Sequence, residues 1–452
     1  MRLKIKEPEI EIGEDGFAKH CKLGRAPYGK KLSDLVERID DPLVIALDGG
    51  WGSGKSFFLK CWAGAHKTKN HGSAEVIYFD AFQHDYLDDP LIALTGLIAE
   101  RFKSEEGLIA SVKNAALKIA PSLARIGLAA ATAGVSELTT AAGDAALKAG
   151  EKEIAEAAEK YWEKENGRRA AMEEFREALK KLTSPEEEGG TPRKIVIIID
   201  ELDRCRPDFA LALLEVIKHF FSIDHITFVL GVNLKELQNS VRARYGQGVD
   251  AERYLGKFIH LHMSLPRTAN TRSVNGSHDA AMVYFEKICE EMDLDKHAIE
   301  RYLLFLDISG IRPSLREAER LAMLAVLSAA STGNLEGASH IVMETALILK
   351  LFRPDLYREL LEGKALLVKI ASALGLSEND RDRRIKYTYC AWAGFLDEDK
   401  WKELMEKEQA LGQRLFPNRF RPPCLDLSKE EIASLFHEHL ETFTLPAPSS
   451  RE

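Results

Sequence analysis

An α/β fold with a mainly parallel core sheet, a helical insertion and an all-helical C-terminal region is predicted by three features of this sequence. Leu43-Val-Ile-Ala-Leu-Asp48 is an apolar run of buried-strand length that empties into a glycine-rich loop. Lys194 to Asp200 carries five β-branched residues in a row, too continuous for an edge strand, and ends on Asp200 and Glu201. After about residue 270 the apolar spacing turns to three and four, which is the helical period.

Taken in order, residues 1–24 alternate apolar and charged positions (Leu3, Ile5, Ile10, Ile12) and read as a short arm or edge strand. Arg25 and Tyr28 follow, ahead of a helix carrying Leu32, Leu35, Val36 and Ile39. The segment just before the first strand touches the base in many nucleotide-binding proteins, so both are adenine-contact candidates. Gly49, Gly54, Lys55 and Ser56 then fit G-x-x-x-x-G-K-[ST], the phosphate-binding loop. Glycines let successive backbone N–H groups turn inward around an anion, and the new helix aims its positive end at the same point. Lys55 is expected to reach the β- and γ-phosphates, and the Ser56 hydroxyl to ligate Mg²⁺. The candidate nucleotide contacts are therefore Gly49, Gly50, Trp51, Gly52, Ser53, Gly54, Lys55, Ser56 and Phe57.

Glu75 to Asp80 reads as a second strand, and Asp89 opens a helix through Phe102. Residues 105–182 form a helical insertion: alanine- and glycine-rich at first, then a charged helix with Met172, Phe175, Leu179 and Leu182 on one face. The longest charge-free run in its alanine-rich part is Ile126 to Ser136, eleven residues. A spanning helix needs about 20, so no transmembrane span is expected. After a breaker-rich linker, Asp200 at the end of the Lys194–Asp200 strand is expected to hold Mg²⁺, and Glu201 to polarise the attacking water. A helix from Phe209 to Phe220 leads to the strand Ile226–Val232, which ends at Asn233. In P-loop proteins that carry a catalytic glutamate this strand lies between the other two, so Asn233 can face the water and the strand order is 5-1-4-3-2. Phe258 to Met263 is the last core strand, with His260 and His262 on one face.

Helices are predicted near 278–293, 297–306, 314–331, 338–350, 355–376 and 384–408, with a capping-box start at Ser428 for a last one. Residues after about 443 read as a disordered tail. The expected organisation is an arm over 1–24, a nucleotide-binding core over 25–266 and a helical lid and tail over 267–445.

The net charge of −9 gives no global basic field, so nucleic acid is not indicated as a partner. The basic runs (Arg242 and Arg244, and Arg381 to Lys386) are short. Six scattered cysteines without a C-x-x-C pair, and an N-terminus without an apolar signal, point to a reducing, cytoplasmic setting.

Together these stretches resemble the KAP family of P-loop NTPases, a branch of the AAA+/STAND-like ATPases. The resemblance covers about residues 20 to 330. Its matches are Gly50 to Ser56, Phe79-Asp-Ala-Phe82, Ile198-Ile-Asp-Glu-Leu-Asp-Arg-Cys205 and Arg253 to Ile259 running on to Leu265-Pro266. Arg312-Pro-Ser-Leu-Arg316 looks like the family's lid segment, which makes Arg316 its sensor-2 arginine. Phe82 stands where the family has tryptophan, an expected packing swap, and Glu201 where it often has aspartate. Many members insert two transmembrane helices where this chain has residues 105–165. The resemblance implies an ATPase that acts as a nucleotide-driven switch or assembly factor, with links to bacterial antiviral defence. It also implies a homo-oligomer or partner proteins from the same operon.

ATP is expected over GTP because no Asn/Thr-Lys-x-Asp element follows Glu201. Arg316 is the expected cis arginine and Arg253 the trans one, with Arg204 and Arg206 as further candidates. A scaffold with little turnover and a nucleic-acid-associated ATPase are the alternative functions.

Overall fold

Five strands join in one parallel sheet: β1 (Leu43–Asp48), β2 (Glu75–Asp80), β3 (Ile195–Asp200), β4 (Ile226–Val232) and β5 (Leu261–Ser264). The computed structural model describes residues 10, 16–87, 89–117, 119, 170–185, 190–218, 223–269, 273–274, 276, 278–332, 338–410 and 429–442. Leu3, Ile5 and Ile12 of the expected arm, residues 120–169 of the expected insertion, Ser428 of the expected capping box and the tail after 442 lie outside these residues. Among the described residues no helix is long and apolar enough to cross a membrane.

The sheet order is β2-β3-β4-β1-β5, which is the expected 5-1-4-3-2 read from the other edge. Alternation along each strand explains why it is covered on both faces. Ile195, Ile197, Ile199, Phe228 and Leu230 face one cluster, with the helices Pro90–Arg101, Pro207–Lys218 and Leu234–Tyr245. Val196, Ile198, Val229, Ile45 and Leu47 face the other, under the helices Ala26–Arg38 and Lys55–Thr68. Each fully buried side chain of this kind contributes about 1.5–3 kcal/mol. The described ends of the insertion belong to the first face: Ile109, Val112, Phe175, Leu179 and Leu182 are buried in the same cluster as Leu94 and Ile98. They are part of the core wall.

Three expectations need correction. Tyr28 lies inside the helix rather than ahead of it, because the helix begins at Ala26 with Pro27 in its first turn and Arg25 as its N-cap. The last strand starts at Leu261 rather than Phe258; His260 precedes it, its Nδ1 accepting from Val44 N at 3.0 Å. The helices expected over 355–376 and 384–408 are each two. Gly363 takes φ +65° after Pro354–Leu361, and Asp397 leaves the helical region to accept from Lys400 N at 2.9 Å. Apolar spacing runs through both breaks, so periodicity alone could not find them.

The chain divides into two compact units: the first takes Glu9–Cys21 and Arg25–Leu265, and the second takes Met1–Pro8, Lys22–Gly24 and Pro266–Glu452. The second is helical. Its core contains Trp392, stacked on Phe436 with ring centroids 6.2 Å apart and donating to Thr345 Oγ1 at 2.9 Å. Glu344, 4% exposed, receives a bidentate pair of hydrogen bonds from Arg301, both 2.6 Å. Arg301→Ala leaves that carboxylate buried without its main partner and is expected to lower unfolding free energy by about 3 kcal/mol. Urea unfolding of the purified chain measures this.

Candidate nucleotide site

Because all five strands are parallel, their carboxyl ends form one edge, the usual ligand crevice of such a sheet. β1 delivers Gly49–Gly54, β3 delivers Asp200 and Glu201, β4 delivers Asn233 and β2 delivers Asp80. The register explains the meeting: Asp80 pairs with Asp200, Asp200 with Gly231, and Asp48 with Val232.

The loop after β1 turns on Gly52 (φ +76°) and Gly54 (φ +82°). A side chain there would cost about 1–2 kcal/mol at each position. Gly49 N donates to Val232 O at 3.1 Å, which ties the loop to β4. Lys55, only 8% exposed, folds its ammonium back onto the carbonyls of Gly49 and Gly50. Burial holds that ammonium below the usual lysine range, opposed by Asp203, Asp200 and Asp48. Ser53 Oγ is buried without a partner. Arg25 is sealed behind the loop at 5% exposure and donates from Nη1 to Ser53 O at 3.1 Å. It braces the loop from within. Tyr28 is half-buried in the same face's core with the Lys31 ammonium 5.3 Å from its ring centre, and Phe57 packs there too.

Asp200 is fully buried and carries the hydroxyls of two residues: Tyr78 Oη donates to it at 2.6 Å and Ser56 also hydrogen-bonds it. Burial pushes its carboxyl up, and these donors oppose that shift. Gly231 lies against it: a Cβ there would meet Asp200 Oδ1 at 2.4 Å and Leu59 Cδ1 at 2.6 Å. Gly231→Ala is expected to leave a folded chain with at least about tenfold slower nucleotide turnover, read beside a thermal melt.

Glu201 occupies the left-handed region at φ +60°, held by its own N–H to Asp200 Oδ1 (2.9 Å) and to Gly231 O (3.2 Å). Its Oε1 pairs with Arg204 Nη1 at 2.8 Å. Burial pushes the Glu201 carboxyl up and Arg204 pulls it down, while Asp200 and Asp80 add to the upward push. Asn233 caps the Leu234–Tyr245 helix by position, but its side chain makes no cap bond; Asp48 Oδ1 takes Leu234 N at 2.9 Å instead. The Asn233 amide is thereby left for another partner.

Hard oxygen donors suit Mg²⁺, which takes one or two protein oxygens and completes its shell with phosphate and water. Ser56 and Asp200, already within hydrogen-bonding reach of each other, fit that role. Among the described residues no three His, Cys, Asp or Glu side chains form a ready cage for a metal ion.

The profile of the KAP family P-loop domain matches residues 25–331, well over half of the chain. This chain belongs to the KAP family of P-loop NTPases. No curated protein matches it. Among solved structures it is similar to the Aeropyrum pernix ORC2 protein in its ADPNP–ADP complexes. Identity is 12%, over 92% of this chain and 95% of that one, with a TM-score of 0.33.

Within the first unit of this KAP protein not every candidate converges. Arg253 is exposed on the helix Ala251–Leu255, before β5 begins. Its neighbour Tyr254 reaches Glu215, near the far end of the Pro207–Lys218 helix. Arg253 therefore lies toward the edge of the sheet opposite the phosphate loop. Arg316 is exposed in the first turn of Leu315–Ser331, behind the capping box of Ser314 and Glu317, in the second unit. Arg206 is spent on the carbonyls of Asp85 and Leu87. Phe82 is 48% exposed, so it fills no core space and the expected packing swap does not describe it. Tyr78, Asp48 and Asp203 were missed. Tyr78 shares a face with Asp200 through strand register, and register is what a single sequence does not state.

Proposed function

We propose that this KAP protein binds ATP with Mg²⁺ and hydrolyses it, and that the nucleotide state sets an arrangement read by partner proteins. The observation that carries this reading is the convergence of Lys55, Ser56, Asp200, Glu201 and Asn233 on one edge of the sheet. In the proposed reaction Lys55 leaves the loop carbonyls for the β- and γ-phosphate oxygens. Glu201 accepts a proton from the attacking water, which Asn233 orients, as the bond to the γ-phosphorus forms and the β–γ bridge breaks. Mg²⁺, held by Ser56 and Asp200, would neutralise phosphate charge.

ATP is preferred over GTP because the chain has no guanine-reading element. Among the described residues Cys21, Cys61, Cys205, Cys289 and Cys390 form no disulfide, in keeping with a reducing cytoplasm. A defence role, a homo-oligomer and operon-encoded partners rest on the family resemblance. The test is phosphate release from ATP and GTP, with Mg²⁺ or with excess chelator, across a range of protein concentrations. Mg²⁺-dependent release from ATP is expected. No turnover with tight binding would favour the scaffold. A rate rising more than linearly with concentration would support a trans arginine such as Arg253. A loss confined to Arg316→Ala, without a drop in melting temperature, would support the lid arginine.

A further inference from the structure

Trp51, at the tip of the phosphate loop, donates its indole Nε1 to Asp203 Oδ2 at 2.8 Å, across 152 residues of sequence. The ring is 52% exposed, yet its one polar atom is turned inward to a carboxylate that is 9% exposed. Asp203 sits in the single turn Leu202–Arg204, directly after Glu201. Leu202 is fully buried and Cys205 N closes the turn on Leu202 O, so the turn is anchored in the core. Arg204, at its end, pairs with Glu201. Two bonds thus leave the same three residues, one to the phosphate loop and one to the carboxylate that faces the site. A turn this short has no slack, so displacing Asp203 displaces Glu201. Asp203 also opposes the burial of the Lys55 charge, which places it in the electrostatic neighbourhood of the phosphates.

We propose that Trp51 and Asp203 are positioning residues whose hydrogen bond clasps the phosphate loop to the turn that bears Glu201, setting the distance between bound phosphate and base. This rests on Glu201 being the base. The clasp touches no reacting atom, so it acts on the geometry of the chemical step, to which rates are steeply sensitive, more than on affinity.

Three substitutions in the full chain separate the clasp from general packing. Trp51→Phe keeps the ring and removes the donor, Asp203→Ala removes the acceptor, and Asp203→Asn keeps an accepting oxygen. Trp51→Phe and Asp203→Ala are expected to lower kcat about tenfold, the worth of one bond to a charged group. The Kd of a non-hydrolysable ATP analogue should change less than kcat does, and the double variant should lose no more than either single one. Asp203→Asn, which keeps the acceptor without its charge, should fall between Asp203→Ala and the parental rate. A second readout needs no turnover: the nucleotide-free Trp51 emission, taken as the difference between a chain with Trp51 and its Trp51→Phe counterpart, should change in Asp203→Ala and stay in Asp203→Asn. Parental kcat in both deletions, losses that multiply in the double variant, or an unchanged Trp51 spectrum in Asp203→Ala would overturn the clasp. Parental turnover in Glu201→Gln, with the spectral change intact, would overturn the base assignment and leave the clasp standing.

Discussion

A Lys55→Ala chain is expected to fold normally and to bind ATP at least about a hundredfold more weakly, from the loss of two charge-assisted bonds worth roughly 1.5 kcal/mol each. The reasoning starts from what Lys55 does without nucleotide. Its ammonium rests on the carbonyls of Gly49 and Gly50, and burial works against its charge. Removing it deletes a buried charge together with the penalty of burying it, so the fold has little to lose. The phosphates lose their one loop cation, since Arg25 is committed behind the loop to Ser53 O. Calorimetric titration of the analogue, beside a thermal melt, decides the matter. Parental affinity in a folded Lys55→Ala chain would mean that the phosphates are held elsewhere.

Glu201→Gln is expected to keep that binding and to lose about 10²–10⁴-fold in kcat, the usual contribution of a general base. The amide fits the same left-handed position, because that backbone is held by Asp200 Oδ1 and Gly231 O through the Glu201 N–H, not by the side chain. It can still accept from Arg204, so the turn should survive. What it cannot do is take a proton. Single-turnover phosphate release separates this from a change in product release. A parental rate would remove Glu201 from the base role and turn attention to the neighbouring carboxylates, Asp80 and Asp200.

Several parts of this site were legible from the chain alone because they are local. The loop needs φ > 0 at Gly52 and Gly54, and that demand selects glycine at fixed spacing before Lys55 and Ser56. The run from Ile195 to Ile199 is buried on both faces, which selects an unbroken β-branched stretch. Glu201 and Asn233 follow their strands directly, so placing the strands placed them.

What the tertiary structure alone decided are the partners chosen across long separations. Tyr78 meets Asp200 over 122 residues and Trp51 meets Asp203 over 152. Neither pair leaves a periodic mark, because each depends on strand register and on how the sheet edge closes. Arg25 illustrates the same limit: its place just before the first strand suggested a contact with the base, and the fold turned it inward to the loop carbonyl. Exposure of Arg253 away from the phosphate edge follows from which way the helix before β5 returns along the sheet. Backbone torsion and side-chain period are properties of a few consecutive residues, so sequence determines them. The pairing of polar atoms is settled only when packing has brought distant segments to within about 3 Å.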